Sequence, residues 1–165
     1  MGFLKVDFID DEILYAGATS SISSMNGITY TINQKLLYAG NDTEGSIGNS
    51  VTETTIANFT IPANTFSTRC VVWASIFMTT AAADTGTIFK IKIGAAASET
   101  LKQTKNIVNT AATGFSAGQG LGGSLLFMDT AEDYTSELSV IITAQNSATA
   151  ATHIGYCKHL VVAGV

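Results

Sequence analysis

The side chains with the widest chemical reach are His153, Cys157 and His159, near the end of a 165-residue chain. Imidazole and thiolate are the ligands zinc prefers, and at a strand's period of two all three fall on one face. Four residues of strand span about 13 Å, however, so His153 and Cys157 cannot share an ion. Only Cys157 and His159, about 7 Å apart, could chelate together, with further ligands from Cys70 or another copy. Structural packing is the expected role of all three, with no metal and no cofactor.

A second candidate is the carboxylate cluster Asp129, Glu132, Asp133 and Glu137. Paired carboxylates do acid–base work or bind Ca²⁺. The spacing is not that of an EF-hand, and no His or second acidic cluster pairs with it. Asp129–Tyr134 is therefore expected as a solvated loop, and Asp10-Asp11-Glu12 is read the same way. The run Ala117-Gly118-Gln119-Gly120-Leu121-Gly122-Gly123 lacks the GK[ST] and the following helix of a phosphate loop, so a flexible turn is expected. There is no G-x-S-x-G, and two His beside two Cys do not single out a base. No catalytic residue is assigned, and the chain is not expected to be an enzyme.

The elements that must position these groups are organised around Val51–Thr80. Ile56, Phe59 and Ile61 stand among threonines, and then Pro62-Ala63-Asn64 breaks the run, because proline fixes φ and donates no backbone hydrogen bond. Cys70–Met78 follows with both faces largely apolar, the pattern of a central strand. It carries the only Trp, and Trp73 needs a deep site or an interface. A sugar-stacking platform of Trp73, Phe77 and Phe89 is weighed against core packing, and alternation favours the core.

Elsewhere, Gly27–Asn33 alternates Ile28, Tyr30 and Ile32 with threonines, and Asn26-Gly27 before it is a strong hairpin signal. Phe3–Ile9 reads as a short strand. Ile13-Leu14-Tyr15-Ala16-Gly17 recurs as Leu36-Leu37-Tyr38-Ala39-Gly40, too few copies for a solenoid. Thr87–Ile93 puts Phe89, Ile91 and Ile93 on a buried face and Lys90 and Lys92 on a wet one. Glu99–Lys105, Leu125–Met128, Glu137–Thr143 and Thr152–Val162 complete the strands, with Asn109–Gly123 as a long loop. Short strands at roughly ten-residue spacing, with no helical periodicity, predict an all-β, jelly-roll-like antiparallel sandwich or barrel over residues 51–165. Residues 1–50 are expected as an N-terminal arm or short-strand hairpin region.

Composition narrows the function. The net charge of −5 and a single arginine, Arg69, exclude a phosphate-neutralising surface, so no nucleic acid is expected. No run approaches the 18 or so apolar residues of a membrane helix, and MGFLKVDFIDDE turns acidic where a signal peptide is apolar, so neither membrane nor secretion is expected. Only 13% of residues are charged, against about 25% in a usual soluble domain. Either the core is large or other chains cover much of the outside, and the second is expected. Cys70 and Cys157 are read as buried thiols.

From Val51 onward the chain resembles a β-sandwich module of tailed-phage structural proteins. The likeness rests on a Thr-rich strand running into Ile61-Pro62-Ala63-Asn64-Thr65-Phe66, the hydrophobic strand with Trp73, and a strand ending Lys92-Ile93-Gly94. A polar Gly/Ala loop and a closing strand ending Leu160-Val161-Val162 complete it. Domains of this kind occur in capsid decoration proteins, head fibres and tail fibres, usually as homotrimers. The resemblance implies a non-enzymatic decoration (cementing) protein on the capsid surface of the virion, with other copies of itself and major capsid protein subunits as partners. The alternative is a fibre domain binding a host-surface glycan or receptor through Tyr134 and the Asp129–Glu137 loop. A polysaccharide hydrolase is a third and weaker reading.

Overall fold

The structure, a computed structural model, describes residues 20–25, 28–32, 35–39, 45–82, 84–110, 115, 119–149 and 153–164. The expected strand at Phe3–Ile9 and the repeat copy at Ile13–Gly17 lie outside them. The described residues form eleven strands and no helix. One antiparallel sheet runs β5 (Thr54–Ile61), β10 (Leu138–Asn146), β7 (Thr85–Gly94) and β8 (Thr100–Asn109). The other runs β3 (Lys35–Ala39), β11 (Ile154–Gly164), β6 (Cys70–Thr79) and β9 (Leu121–Asp129), with β4 (Gly45–Ile47) also paired to β11. β1 (Ser20–Met25) and β2 (Ile28–Ile32) form a separate hairpin whose register, Met25 opposite Ile28, brackets Asn26-Gly27.

The chain crosses repeatedly between the two main sheets, so the all-β, jelly-roll-like sandwich expected from the spacing is the observed architecture. β3 and β4 precede residue 50 yet hydrogen-bond to β11. Residues 35–39 and 45–47 are thus tied into the body by backbone ladders.

Alternation explains most of the core. Cys70, Val72, Ala74, Ile76 and Met78 of β6 face Phe89, Ile91 and Ile93 of β7 and Val140 and Ile142 of β10 within one buried cluster. Two irregularities reset the period. Between Ile142 and Thr143 the partner on β5 jumps from Ala57 to Thr55, which leaves Ile56 as an extra residue and lets Ile56 and Ala57 both point inward. On β11 Cys157 lies opposite Ile76 and His159 opposite Ser75, so Lys158 is the extra residue.

The proline turn closes with the Thr65 amide donating to the Pro62 carbonyl at 3.2 Å. Asn64 takes a left-handed φ of 59°, a conformation asparagine tolerates, and its amide donates to Tyr134 O at 2.8 Å, binding this turn to the β9–β10 connection.

Close approach between the sheets depends on a glycine. A Cβ on Gly155 would stand 2.7 Å from Thr87 Cγ2 and 3.2 Å from both Ile47 and Phe89. Gly155→Ala is expected to cost about 1–3 kcal/mol by overpacking, while Gly122→Ala, whose Cβ would meet nothing closer than 3.6 Å, should stay within about 0.5 kcal/mol. Urea unfolding midpoints of the two variants test the contrast.

Candidate functional site

Pairing on both sides of β6 forces every second side chain out of the sandwich. Val71, Trp73, Ser75 and Phe77 therefore lie on the outer surface of the sheet. Trp73 stands between Leu126 of β9 and Val161 of β11, and Val71 between Met128 and Ala163. Val71 is 36% exposed, Trp73 37%, Leu126 59% and Met128 57%, and no charged side chain lies among these positions. The expectation that Trp73 and Phe77 join Phe89 in the core is corrected: Phe89 is fully buried and the other two face out. Both faces of β6 are apolar, so a period of two separates the two sets without saying which is inside.

The far end of this face is aromatic and capped by a cation. The Phe77 and Tyr156 rings lie 6.2 Å apart, with Lys158 Nζ 4.8 Å from the Tyr156 centroid and 5.9 Å from that of Phe77. The Phe77 ring rests on Gly120, where a Cβ would come within 2.7 Å of it, and beside Gly122. The glycine run is thus no simple turn: Gly122 and Gly123 belong to β9, and just before it Gly120 leaves room for the Phe77 ring.

The opposite sheet turns a mainly polar surface outward, interrupted by exposed Leu101 and Val108 on β8. Glu53 pairs with Lys90 and Lys92, each at 2.5 Å, and accepts a hydrogen bond from Thr143 Oγ1 at 2.7 Å. Burial pushes its carboxyl up, but the lysines and Thr143 outweigh that and hold it down at about 2. A cleft of about 410 Å³ between β5, β10 and the β7–β8 turn is lined by Thr55, Asn58, Thr60, Glu99, Glu137 and Ser139.

The carboxylate cluster is not one solvated loop. Asp129 is buried: Oδ2 accepts from the Ala131 amide at 3.2 Å, the Glu132 amide at 3.0 Å and Tyr134 OH at 2.7 Å, while Lys102 Nζ lies 3.4 Å from Oδ1. Lys102 also pairs with Glu132 at 2.6 Å. Burial would raise the Asp129 carboxyl, but the Tyr134 hydroxyl, the two amides and Lys102 hold it below its usual range. Tyr134 is buried against Phe66, with its phenol pushed up by burial and by Cys70 and Asp129, so it presents nothing to a ligand. Asp133 closes a local turn through Thr135, and Glu137 faces the cleft. The four acids divide among three sites.

His153, Cys157 and His159 are likewise separated. His153 is buried, with Nε2 3.1 Å from Thr87 Oγ1, and Asn146 Nδ2 donates to its carbonyl at 3.1 Å. The extra residue at Lys158 leaves Cys157 inside and His159 exposed, so the single face expected for the three does not form. Among the described residues no three His, Cys, Asp or Glu side chains gather as a metal site. Both cysteines are buried free thiols; Cys157 lies opposite Ile76, six residues or about 20 Å along β6 from Cys70, too far for a disulfide. Burial raises the Cys157 thiol to about 11, against a weaker pull from the His159 backbone.

Burial also holds the His153 imidazole below its ordinary value, with a backbone contact to Ala148 opposing it weakly. Its stabilising contribution is therefore complete above pH 6.5 and declines as the pH falls below that, because the unfolded chain takes up the proton first. Glu53 and Asp129 contribute above the ordinary carboxylate range and lose that contribution as pH falls, for Glu53 toward 2. Acid unfolding should thus proceed in two stages, and His153→Gln should flatten melting temperature against pH between 6.5 and 5 while leaving the lower stage intact. Thermal melts followed by circular dichroism across pH 2–8 measure both stages.

No protein-family model matches the sequence, and no curated protein matches it. Solved structures do share its fold. The VP2 subviral particle of infectious bursal disease virus aligns at a TM-score of 0.50 and 13% identity, over 88% of this chain and 37% of that one. The Gx strain of the same virus aligns at 0.50 and 14%, over 89% and 37%. A carbohydrate-binding module in complex with β-1,4-galactotriose aligns at only 0.32 and 11%, over 78% and 69%, too loosely to bear on function. The chain spans little more than a third of the viral chains it matches, and what it shares with them is the β-sandwich fold of a capsid protein.

Proposed function

We propose that the chain is a non-enzymatic virion structural protein, a capsid decoration protein that sits on the outer capsid surface as a homotrimer. The observation that carries this reading is the contrast between the two outer faces. One bears the Glu53–Lys90–Lys92 ion pairs and a row of threonines, and the other is apolar and free of charge around Trp73. A charge-free apolar sheet face is what a subunit of an assembly presents, and the fold shared with viral capsid proteins agrees with that. Weak apolar contacts repeated at every site of a symmetric shell add through avidity. Of the expected N-terminal arm, residues 35–39 and 45–47 are hydrogen-bonded to β11, so in this reading contact with neighbouring major capsid protein subunits falls to the segment before Lys35.

A second reading, a fibre domain that binds a glycan, retains one feature in its favour. The cleft lined by Thr55, Asn58, Glu99 and Glu137 offers hydroxyl, amide and carboxylate groups for sugar hydroxyls. It contains no aromatic ring to stack on a pyranose, so the decoration reading is preferred.

Light scattering on the purified chain across a dilution series, with and without chelator, tests the proposal. A concentration-independent trimer, indifferent to chelator, is the expected result. A monomer at all concentrations overturns it, and strong glycan-array binding lost on Glu99→Gln or Asn58→Ala would replace it with the second reading.

A further inference from the structure

We infer that the outer face of β6 and β9, centred on Trp73, is the surface through which copies of this chain associate with one another. The inference rests on the assembly reading and names the part of the molecule that performs it.

The first argument is extent. Val71, Trp73, Leu126 and Met128 form two cross-strand pairs in adjacent register, Val71 with Met128 and Trp73 with Leu126, so their exposed areas are contiguous. Val161 and Ala163, half-buried on β11, carry the surface across the next strand. At these exposures the patch reaches the few hundred Å² at which apolar surface on a monomer ceases to be ordinary. The Phe77–Tyr156 end extends the same face with two partly exposed rings.

The second argument is charge, and it selects the occupant. Electrostatically steered partners leave a complementary field on the surface they bind. None of this patch's four central residues is charged, and Lys158 lies over the aromatic end rather than among them. Around the three-fold axis of a trimer, copies of a patch without charge bring no like charge against one another and leave no ion unpaired on burial. Trp and Met are also the residues most enriched at the centre of interfaces, where a large rigid ring fills the partner's surface. The sheet's second flank agrees, since among the described residues β9 is the edge strand of its sheet, and Leu126 and Met128 on it are exposed.

Trp73 is the only tryptophan, so it reports on this face without labelling. The test compares the full-length chain with its Leu126→Lys/Met128→Lys variant, by light scattering for mass and by acrylamide quenching of Trp73. Both substitutions fall at well-exposed positions and should leave the urea midpoint nearly unchanged, which serves as the check on folding. The wild type is expected to be oligomeric with a protected indole. The variant is expected to be monomeric, with a several-fold larger quenching constant and a red-shifted emission. A variant that keeps its mass while Trp73 is quenched equally in both proteins overturns the inference and leaves the assembly reading standing. A wild type that is monomeric at every concentration with Trp73 protected also overturns it, because residues of the same chain then cover the face; that result removes the homo-oligomer reading as well.

Discussion

The ladder of β6 with β11 on one side and β9 on the other is the constraint on which the rest depends. Because β6 is hydrogen-bonded along both edges, it cannot rotate to choose which side chains to bury. The inner set, Cys70, Val72, Ala74, Ile76 and Met78, carries no aromatic ring, and the facing strand β7 fills the gap with Phe89, Ile91 and Ile93. Sheets pack about 10 Å apart, and a tryptophan added from β6 against Phe89 would overfill that space. The bulky residues of β6, Trp73 and Phe77, are thus left on the outer face by volume as well as by register. The exposed patch follows from the way the core is filled.

Most strands were legible because alternation with a buried and a wet face is a strong signal. Thr87–Ile93 is the clearest case: Lys90 and Lys92 point out toward Glu53 while Phe89, Ile91 and Ile93 go in. The signal failed wherever the period slipped. Ile56 and Ala57 are buried consecutively, and Cys157 and His159, two apart, lie on opposite faces, each because one extra residue sits in the ladder. Nothing in the local residue types around Lys158 announces that extra residue. The same limit applies to the start of β9: Leu125–Met128 reads as a strand but Leu121–Gly123 as the end of a loop, since glycines in a strand are indistinguishable from glycines in a turn. The acidic loop was misread for a different reason: Asp129 is paired with Lys102, twenty-seven positions earlier, and such long-range partners leave no trace in local spacing.

The charged residues that the structure places carry definite tasks. Glu53 joins the strand-leading segment before β5 to β7 through two lysines, and Lys102 of β8 joins Asp129 of β9 and Glu132 of the following turn across the open flank between the two sheets. These ties are half-buried or better, so water screens them less than it would a surface pair. They sit on the outer surface of the β5–β10–β7–β8 sheet and at the end of β9, away from the centre of the other sheet.

That distribution bears on why a 165-residue chain is only 13% charged. A domain of ordinary size reaches so low a value either by enlarging its core or by leaving part of its surface uncharged. Here the core is the single layer between two sheets, as in any sandwich, filled by aliphatic residues with Phe59, Phe66, Phe89 and Tyr134. The deficit lies outside it. On the face of β6 and β9, where solvent-exposed positions of an isolated sandwich would alternate Lys, Glu and Thr with the core, the chain places Val71, Trp73, Leu126 and Met128. Four such side chains held in water would be an aggregation liability on an otherwise well-formed sheet. Their registered pairing on β6 and β9 gives that surface a fixed shape, and a fixed shape is what specific burial against another subunit requires.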